Sequence, residues 1–470
     1  MSARPAASRP DQAGGRRQIS FWYDQLAPAP PSRESLSRDI EADVCIVGGG
    51  FTGLWTAYEL LAAEPSLEVV VLEAERVGFG ASGRNGGWVE GKLAGSRQHW
   101  AERGGPPAVI AMERAVQGAV DVIGKVVAAE GIDCGFHKAG TLTVAQSSLQ
   151  LEKVRAEVEE DHSWGLTEGD SVLLDGVAAR ERVAVAGVVG ARFSPHCARV
   201  QPARLAVGLA AAAERRGATI YEGSPVVRIA PRTARTRQAS VRAAHVVRAT
   251  EAYTARLAGQ RRVMLPISSS MITTEVIDDA SWAEIGWENA ETVLDGARRF
   301  VYIQRTADGR IAIGGRGIPY RYGSKTSAEE PPPPETVAAL AHRLHQLFPP
   351  LHSVPVAAAW QGVLGASRQW APAVGLERAT GLAWAGGYVG EGVAAAQLAG
   401  ATLADLILRR DSPLTRLAWV GPPGRPWPPE PFRYAGVRGV NAMMAVADRR
   451  EWRTDETSLV GKLAHLISGR

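Results

Sequence analysis

Near the amino terminus two short apolar runs flank a stretch with helical spacing. Asp43–Val47 is a β-branched run, Thr52–Ala63 places its apolar side chains on a helical period, and Glu68–Glu73 is again continuously apolar between its acids. The pattern predicts strand, helix, strand. Further on the period shortens to strict alternation, as in Ser268–Val276, Phe300–Gln304 and Arg310–Gly314, with Ala307-Asp308-Gly309 as the turn of a hairpin. The second pattern predicts an antiparallel sheet, a different architecture from the βαβ start. Between them, helices are expected over 105–130 and 147–160 with a strand near 140–145. A further helix runs from Pro202 to Gly217, and strands are expected at 219–222, 225–229 and 245–249.

The junction of the first strand and helix carries Gly48, Gly50 and Gly53 in the spacing G-x-G-x-x-G. Gly48 permits the tight turn, Gly50 lets backbone approach a pyrophosphate, and Gly53 lets the helix pack closely on the sheet, with Phe51 and Thr52 opening the helix. The helix N-terminus offers free N–H groups to phosphate. Glu73, about 20 residues past the last glycine, stands where a carboxylate accepts from ribose hydroxyls. The unit predicts dinucleotide binding.

Two further glycine-rich segments stand out. Arg76–Trp88, with Ala81, Ser82, Arg84, Asn85, Gly86 and Gly87, has few apolar anchors and follows the ribose acid, a position suited to a ligand-held loop. Late in the chain, Leu382–Ile407 repeats strand, glycine loop and helix through Gly386, Gly387, Gly390 and Gly392. Its glycines do not follow G-x-G-x-x-G, so a second dinucleotide is not expected, and the helix N-terminus there suits developing negative charge.

At 470 residues two domains are expected. The net charge of +4 is concentrated in the first 17 residues, which carry +3 and read as a disordered tail. The remainder is near neutral, which excludes a basic nucleic-acid-binding domain. No secretory or twin-arginine signal and no membrane-spanning run is read, and Cys45, Cys134 and Cys197 are widely spaced, so a reducing, cytoplasmic location is expected. His342 and His345 stand three apart, but without further ligands at metal spacing no metal site is predicted.

Together with Phe21-Trp22-Tyr23, Gln201-Pro202, Thr273-Thr274-Glu275 and Gly314-Gly315-Arg316-Gly317, these segments resemble the FAD-dependent amino-acid and amine oxidase (D-amino-acid oxidase-like) family, including its bacterial gamma-glutamylputrescine oxidase branch. The resemblance implies an α/β plus α+β molecule: a Rossmann-like FAD-binding domain with a discontinuous substrate domain built on a mixed or antiparallel sheet. Its boundaries would be FAD binding at 20–104, 196–260 and 354–412, substrate binding at 105–195 and 261–353, a tail at 1–19 and an extension at 413–470. It implies that Val227, Gly387, Gly390, Gly392 and Val393 join the fingerprint and loop residues around FAD, with the late helix near the flavin pyrimidine edge.

Relatives that tether flavin do so through a cysteine before the last glycine region. Residues 361–372 have none, so FAD is expected to be non-covalent. Where sarcosine-oxidase relatives place a His and a Lys for a substrate carboxylate, this chain has Glu391 and Ala394, which favours a cationic amine. The implied reaction is hydride transfer from a C–N carbon of a primary or secondary amine to flavin, with oxygen as acceptor and hydrolysis of the imine. Arg84, Asn85, Arg316, Tyr388 and Glu391 are the candidate catalytic residues. A flavin monooxygenase or desaturating enzyme is the alternative, and a purely electron-passing flavoprotein subunit is a third reading.

Overall fold

The computed structural model describes residues 19–297, 300–316, 320–326 and 330–454, without the side chains of residues 316, 445 and 448–454. Two eight-stranded sheets organise it. In the first, the strand Ile40–Val47 lies parallel between Val69–Leu72 and Ser240–Arg248. Thr219–Tyr221 extends one side, while Leu382–Gly386 and then Ala373–Glu377 extend the other. Val44 and Ile46 point to a core shared with the helices Phe51–Ala63, Pro202–Arg215 and Gly392–Ile407. Cys45 and Val47 point to the opposite core under the hairpin of Arg228–Ala230 and Thr233–Arg235. A strand buried on both faces needs an unbroken apolar run, and Val44–Val47 supplies it.

The second sheet runs in the order Val356–Ala366, Leu265–Thr274, Ile311–Arg316, Val301–Arg305, Thr292–Asp295, Thr141–Ala145, Gly190–Ser194, Val172–Asp175. All its pairs are antiparallel except Thr292–Asp295 with Thr141–Ala145. Its alternation divides two faces. Ile272, Ile303 and Ile313 pack with Leu340 and Leu344 of the helix Pro334–Leu347, whereas Met271, Tyr302 and Trp360 meet Phe21 and Trp22 on the side of the first domain.

Three expected boundaries fall beside structural features. Val356–Ala366, which the expected last FAD segment from 354 includes, is an edge strand of the second sheet. The helix Arg97–Ala129 crosses the expected break at 104/105, where Gly104 and Gly105 leave helical geometry and divide it. The expected tail up to 18 lies outside the described residues, but Ile19 and Ser20 are buried, the Ser20 hydroxyl donating to the Gly83 carbonyl at 2.6 Å. Among the described residues no helix is long and apolar enough to cross a membrane, and no group of three His, Cys, Asp or Glu side chains is arranged for a metal.

Candidate active site

In the first sheet the chain builds outward from Ile40–Val47 to one side and then returns to its other side with Ser240–Arg248. This is a topological switch point, and ligands bind beyond the carboxyl ends of the strands there. The fingerprint glycines meet that demand. Gly48 has φ 114°, and a Cβ on it would lie 2.5 Å from the Ala249 carbonyl oxygen. On Gly53 it would lie 2.0 Å from the Gly48 oxygen. A Cβ on Gly50 would meet only Ser82, and Gly50 caps the 13-residue helix without a side chain. The Phe51 N–H donates to Ser82 Oγ at 2.8 Å. Glu73 accepts from the Gly49 N–H at 2.7 Å and the Glu75 N–H at 2.9 Å, and burial raises its pKa to about 7. Val227 donates its N–H to Arg235 O at 2.8 Å and accepts from Ala258 at 3.0 Å, so both backbone groups are engaged within the protein.

The loop after Glu73 is held by its own polar groups. Asn85 Nδ2 donates to the carbonyls of Ala81 and Ser82 at 3.1 and 2.8 Å, and its Oδ1 accepts the Gly87 N–H at 2.8 Å. The buried Arg84 donates to Phe79 O at 2.7 Å and Gln361 O at 3.3 Å, with its guanidinium over the Phe79 ring. The two residues expected to aim donors at a cofactor therefore fasten the loop to itself and to the second sheet. Gly86 and Gly87 let Tyr302 and Gln304 approach, since a Cβ there would lie 2.7 and 2.2 Å from those side chains.

The late loop closes on the fingerprint from the opposite side. Gly387 and Gly390 have φ 85° and 114°, and Val389, a β-branched residue, is held at 57°. Tyr388 is buried with its hydroxyl 3.1 Å from Thr52 Oγ1, and burial pushes its phenol pKa far up. The 16-residue helix then begins at Gly392, followed by the buried Val393. Its N-cap is Glu391, which makes no side-chain capping bond. Two helix N-termini without side-chain N-caps are thus joined by the Tyr388–Thr52 contact.

A sequence model described as FAD dependent oxidoreductase matches residues 43–406, a span that takes in both glycine sites and both sheets. The chain belongs to this family. Its cofactor is FAD. Gamma-glutamylputrescine oxidoreductase of Escherichia coli is 31% identical over 393 residues, covering 83% of this chain and 88% of that one. Glycine oxidase of Geobacillus kaustophilus is 26% identical over 381 residues, covering 79% and 94%. The crystal structure of that glycine oxidase superposes with a TM-score of 0.66 at 22% identity, covering 79% of this chain and 96% of that one. L-proline dehydrogenase from P. horikoshii gives 0.64 at 21%, covering 82% and 96%. At these identities the structural matches establish the fold alone.

FAD fits the residues present. A side-chain-free turn at Gly48–Gly50 and a helix N-terminus suit its pyrophosphate, Glu73 suits a ribose, and the late helix N-terminus suits an electron-accepting ring.

The second sheet turns Tyr302 and Ser269 toward the Arg-Asn-Gly-Gly loop, their hydroxyls 2.8 Å apart. Trp88 stands edge-on to Tyr302 at 6.2 Å. The backbone of Arg316 pairs opposite Ser269, and its side chain lies outside the described residues. Desolvation opposes the Lys92 ammonium, but Glu90, Glu391 and Glu157 outweigh it and raise its pKa. Lys92 and Glu90 line a cavity of about 510 Å³. One wall is an ion network in which Arg97 pairs with Glu113 at 2.8 Å and Asp161 at 2.6 Å, and Arg192 with Asp161 at 2.8 Å. Sequence reasoning missed Lys92, Tyr302 and Glu251. Only Glu251 had a signal, since it directly follows a predicted strand of the parallel sheet, where ligand-facing residues fall.

Proposed function

We propose that the chain binds a primary or secondary amine as its cation and, after the nitrogen gives up a proton to solvent, oxidises the C–N bond by hydride transfer to an imine, which water hydrolyses to a carbonyl compound and ammonia or an amine. The observation that carries this reading is the acidic lining of the 510 Å³ cavity, where Glu90, Glu157 and Glu160 share the wall with Lys92 and with Arg97 and Arg192, which pair with Asp161. Carboxylates are in excess there, which favours a second ammonium over a carboxylate. A similar protein is named for an amine, gamma-glutamylputrescine, and others for glycine, which keeps amino acids within the substrate class.

Bound FAD supplies the hydride acceptor. The chain's own residues position and desolvate. Glu391 draws the ammonium end toward the late helix, and the Trp88–Tyr302 pair presents aromatic surface to a cation while excluding water. Arg84 and Asn85 act as positioning residues that keep the Gly80–Gly87 loop closed. The cofactor is held without a covalent bond, because residues 361–372 lack cysteine and Cys45, Cys134 and Cys197 are buried. Oxygen is the proposed acceptor and the cytoplasm the proposed location.

Replacing Glu391 with Gln tests the substrate charge. The apparent affinity for an amine substrate should fall about tenfold while affinity for FAD stays unchanged. An unchanged amine affinity would refute the cationic reading.

A further inference from the structure

Glu251 is a carboxylate at the carboxyl end of the parallel sheet, bonded to the late glycine loop. It follows the strand Ser240–Arg248 at the switch point, two residues after the Ala249 carbonyl that Gly48 packs against. Its backbone is in the left-handed region, φ 42°, which a non-glycine residue adopts at a cost of about 1 kcal/mol or more. The side chain is turned inward. Oε1 accepts the Gly387 N–H at 2.6 Å and the Tyr388 N–H at 3.2 Å, and Oε2 accepts the Gly365 N–H at 2.8 Å.

Three separate parts of the chain therefore meet on one carboxylate: the end of an FAD-domain strand, an edge strand of the second sheet, and the late glycine loop. The space is shaped for it. A Cβ on Gly365 would lie 2.3 Å from Oε2, and one on Gly386 would lie 3.1 Å from Oε1. The loop it holds also carries the strained Val389 and the Tyr388 hydroxyl that reaches Thr52. A loop with two glycines at positive φ and a strained valine needs an external tie to keep one conformation. Glu251 is in the right place to be that tie.

We propose that Glu251 is a positioning residue for FAD, pinning the late glycine loop so that its helix N-terminus faces the cofactor. Glu251 also sets part of the crevice's charge. Burial pushes its pKa up, while the Gly387, Tyr388 and Gly365 N–H groups and the positive charge of Arg248 favour its charged form. The remaining negative potential opposes electron uptake by a group in the crevice. This role is independent of the substrate.

The test is Glu251→Gln in the full chain, with FAD removed and titrated back by fluorescence. The amide keeps the size of the side chain but turns an NH₂ group toward N–H donors. FAD affinity should fall about tenfold or more. In the cofactor-free variant hydrogen exchange should quicken at Gly387 and Tyr388 but not along Gly392–Ile407. The midpoint potential of rebound flavin should rise. Gly365→Ala, which displaces the carboxylate without removing its charge, should reproduce the affinity loss without the rise in potential. Wild-type affinity and exchange in Glu251→Gln would overturn the proposal. So would wild-type exchange data in which the Gly365, Gly387 and Tyr388 amides open as freely as Gly390, a measurement that needs no variant to fold.

Discussion

The hydroxyl of Tyr388 lies 3.1 Å from Oγ1 of Thr52, so residues 336 positions apart close the two glycine sites on each other through one bond. Both side chains are buried. Removing the phenol hydroxyl leaves the threonine hydroxyl without that partner, at a cost of about 1 kcal/mol.

Tyr388→Phe should therefore weaken FAD binding by about fivefold while leaving the fold intact. Fluorescence titration of cofactor-free protein reads this directly. Affinity equal to wild type would mean that the contact does not hold the loop.

Gly53→Ala should abolish FAD binding, because its Cβ would be forced to within 2.0 Å of the Gly48 carbonyl oxygen. The purified variant should lack flavin absorbance while retaining the helical signal of the second domain. A normally coloured variant would contradict the assigned role of the turn.

Glu73 gives a pH dependence of known sign. Its folded pKa is raised from 4.5 to about 7 by burial, so the favourable contribution of the neutral acid is fully present below 4.5 and is lost as pH rises through about 7. The stability of cofactor-free Glu73→Gln relative to wild type should accordingly increase between pH 5 and 8, two values chosen to bracket that pKa. Parallel melting-temperature profiles for the two proteins would refute this.

Asp161 joins Arg97 and Arg192 in the wall of the cavity, with side-chain exposures of 6%, 16% and 17%. Asp161→Asn should destabilise the protein by about 3 kcal/mol, because two partly buried guanidinium groups lose their shared partner. Denaturant unfolding measures it. A change under about 1 kcal/mol would show the network to be solvated.

The cofactor half of the site was legible in the sequence because backbone chemistry dictates it. Gly48 and Gly53 are demanded by a turn and by close packing against backbone, whereas Gly50 leaves the helix N-terminus open to a phosphate. The alternation between Ser268 and Gly314 likewise predicted the second sheet, since one of its faces packs on helices and the other on the first domain. The place of the strand Val356–Ala366 in the second sheet was not legible because its pairing partner, Leu265–Thr274, lies far away in sequence. Arg84 and Asn85 looked like cofactor ligands because glycine-rich loops near a ribose acid present donors. Whether those donors turn outward or back onto the loop depends on carbonyls such as that of Gln361, 277 residues away.

The central claim is tested most directly by the absorbance of the oxidised flavin when the purified protein meets amines under anaerobic conditions. Polyamines, N-methyl amines, D-amino acids and aminophosphonates should be compared. The structure predicts a yellow protein whose oxidised-flavin bands are bleached by a cationic amine without added NAD(P)H. A protein that binds FAD but is bleached by none of these, or only by NADPH, would contradict the account.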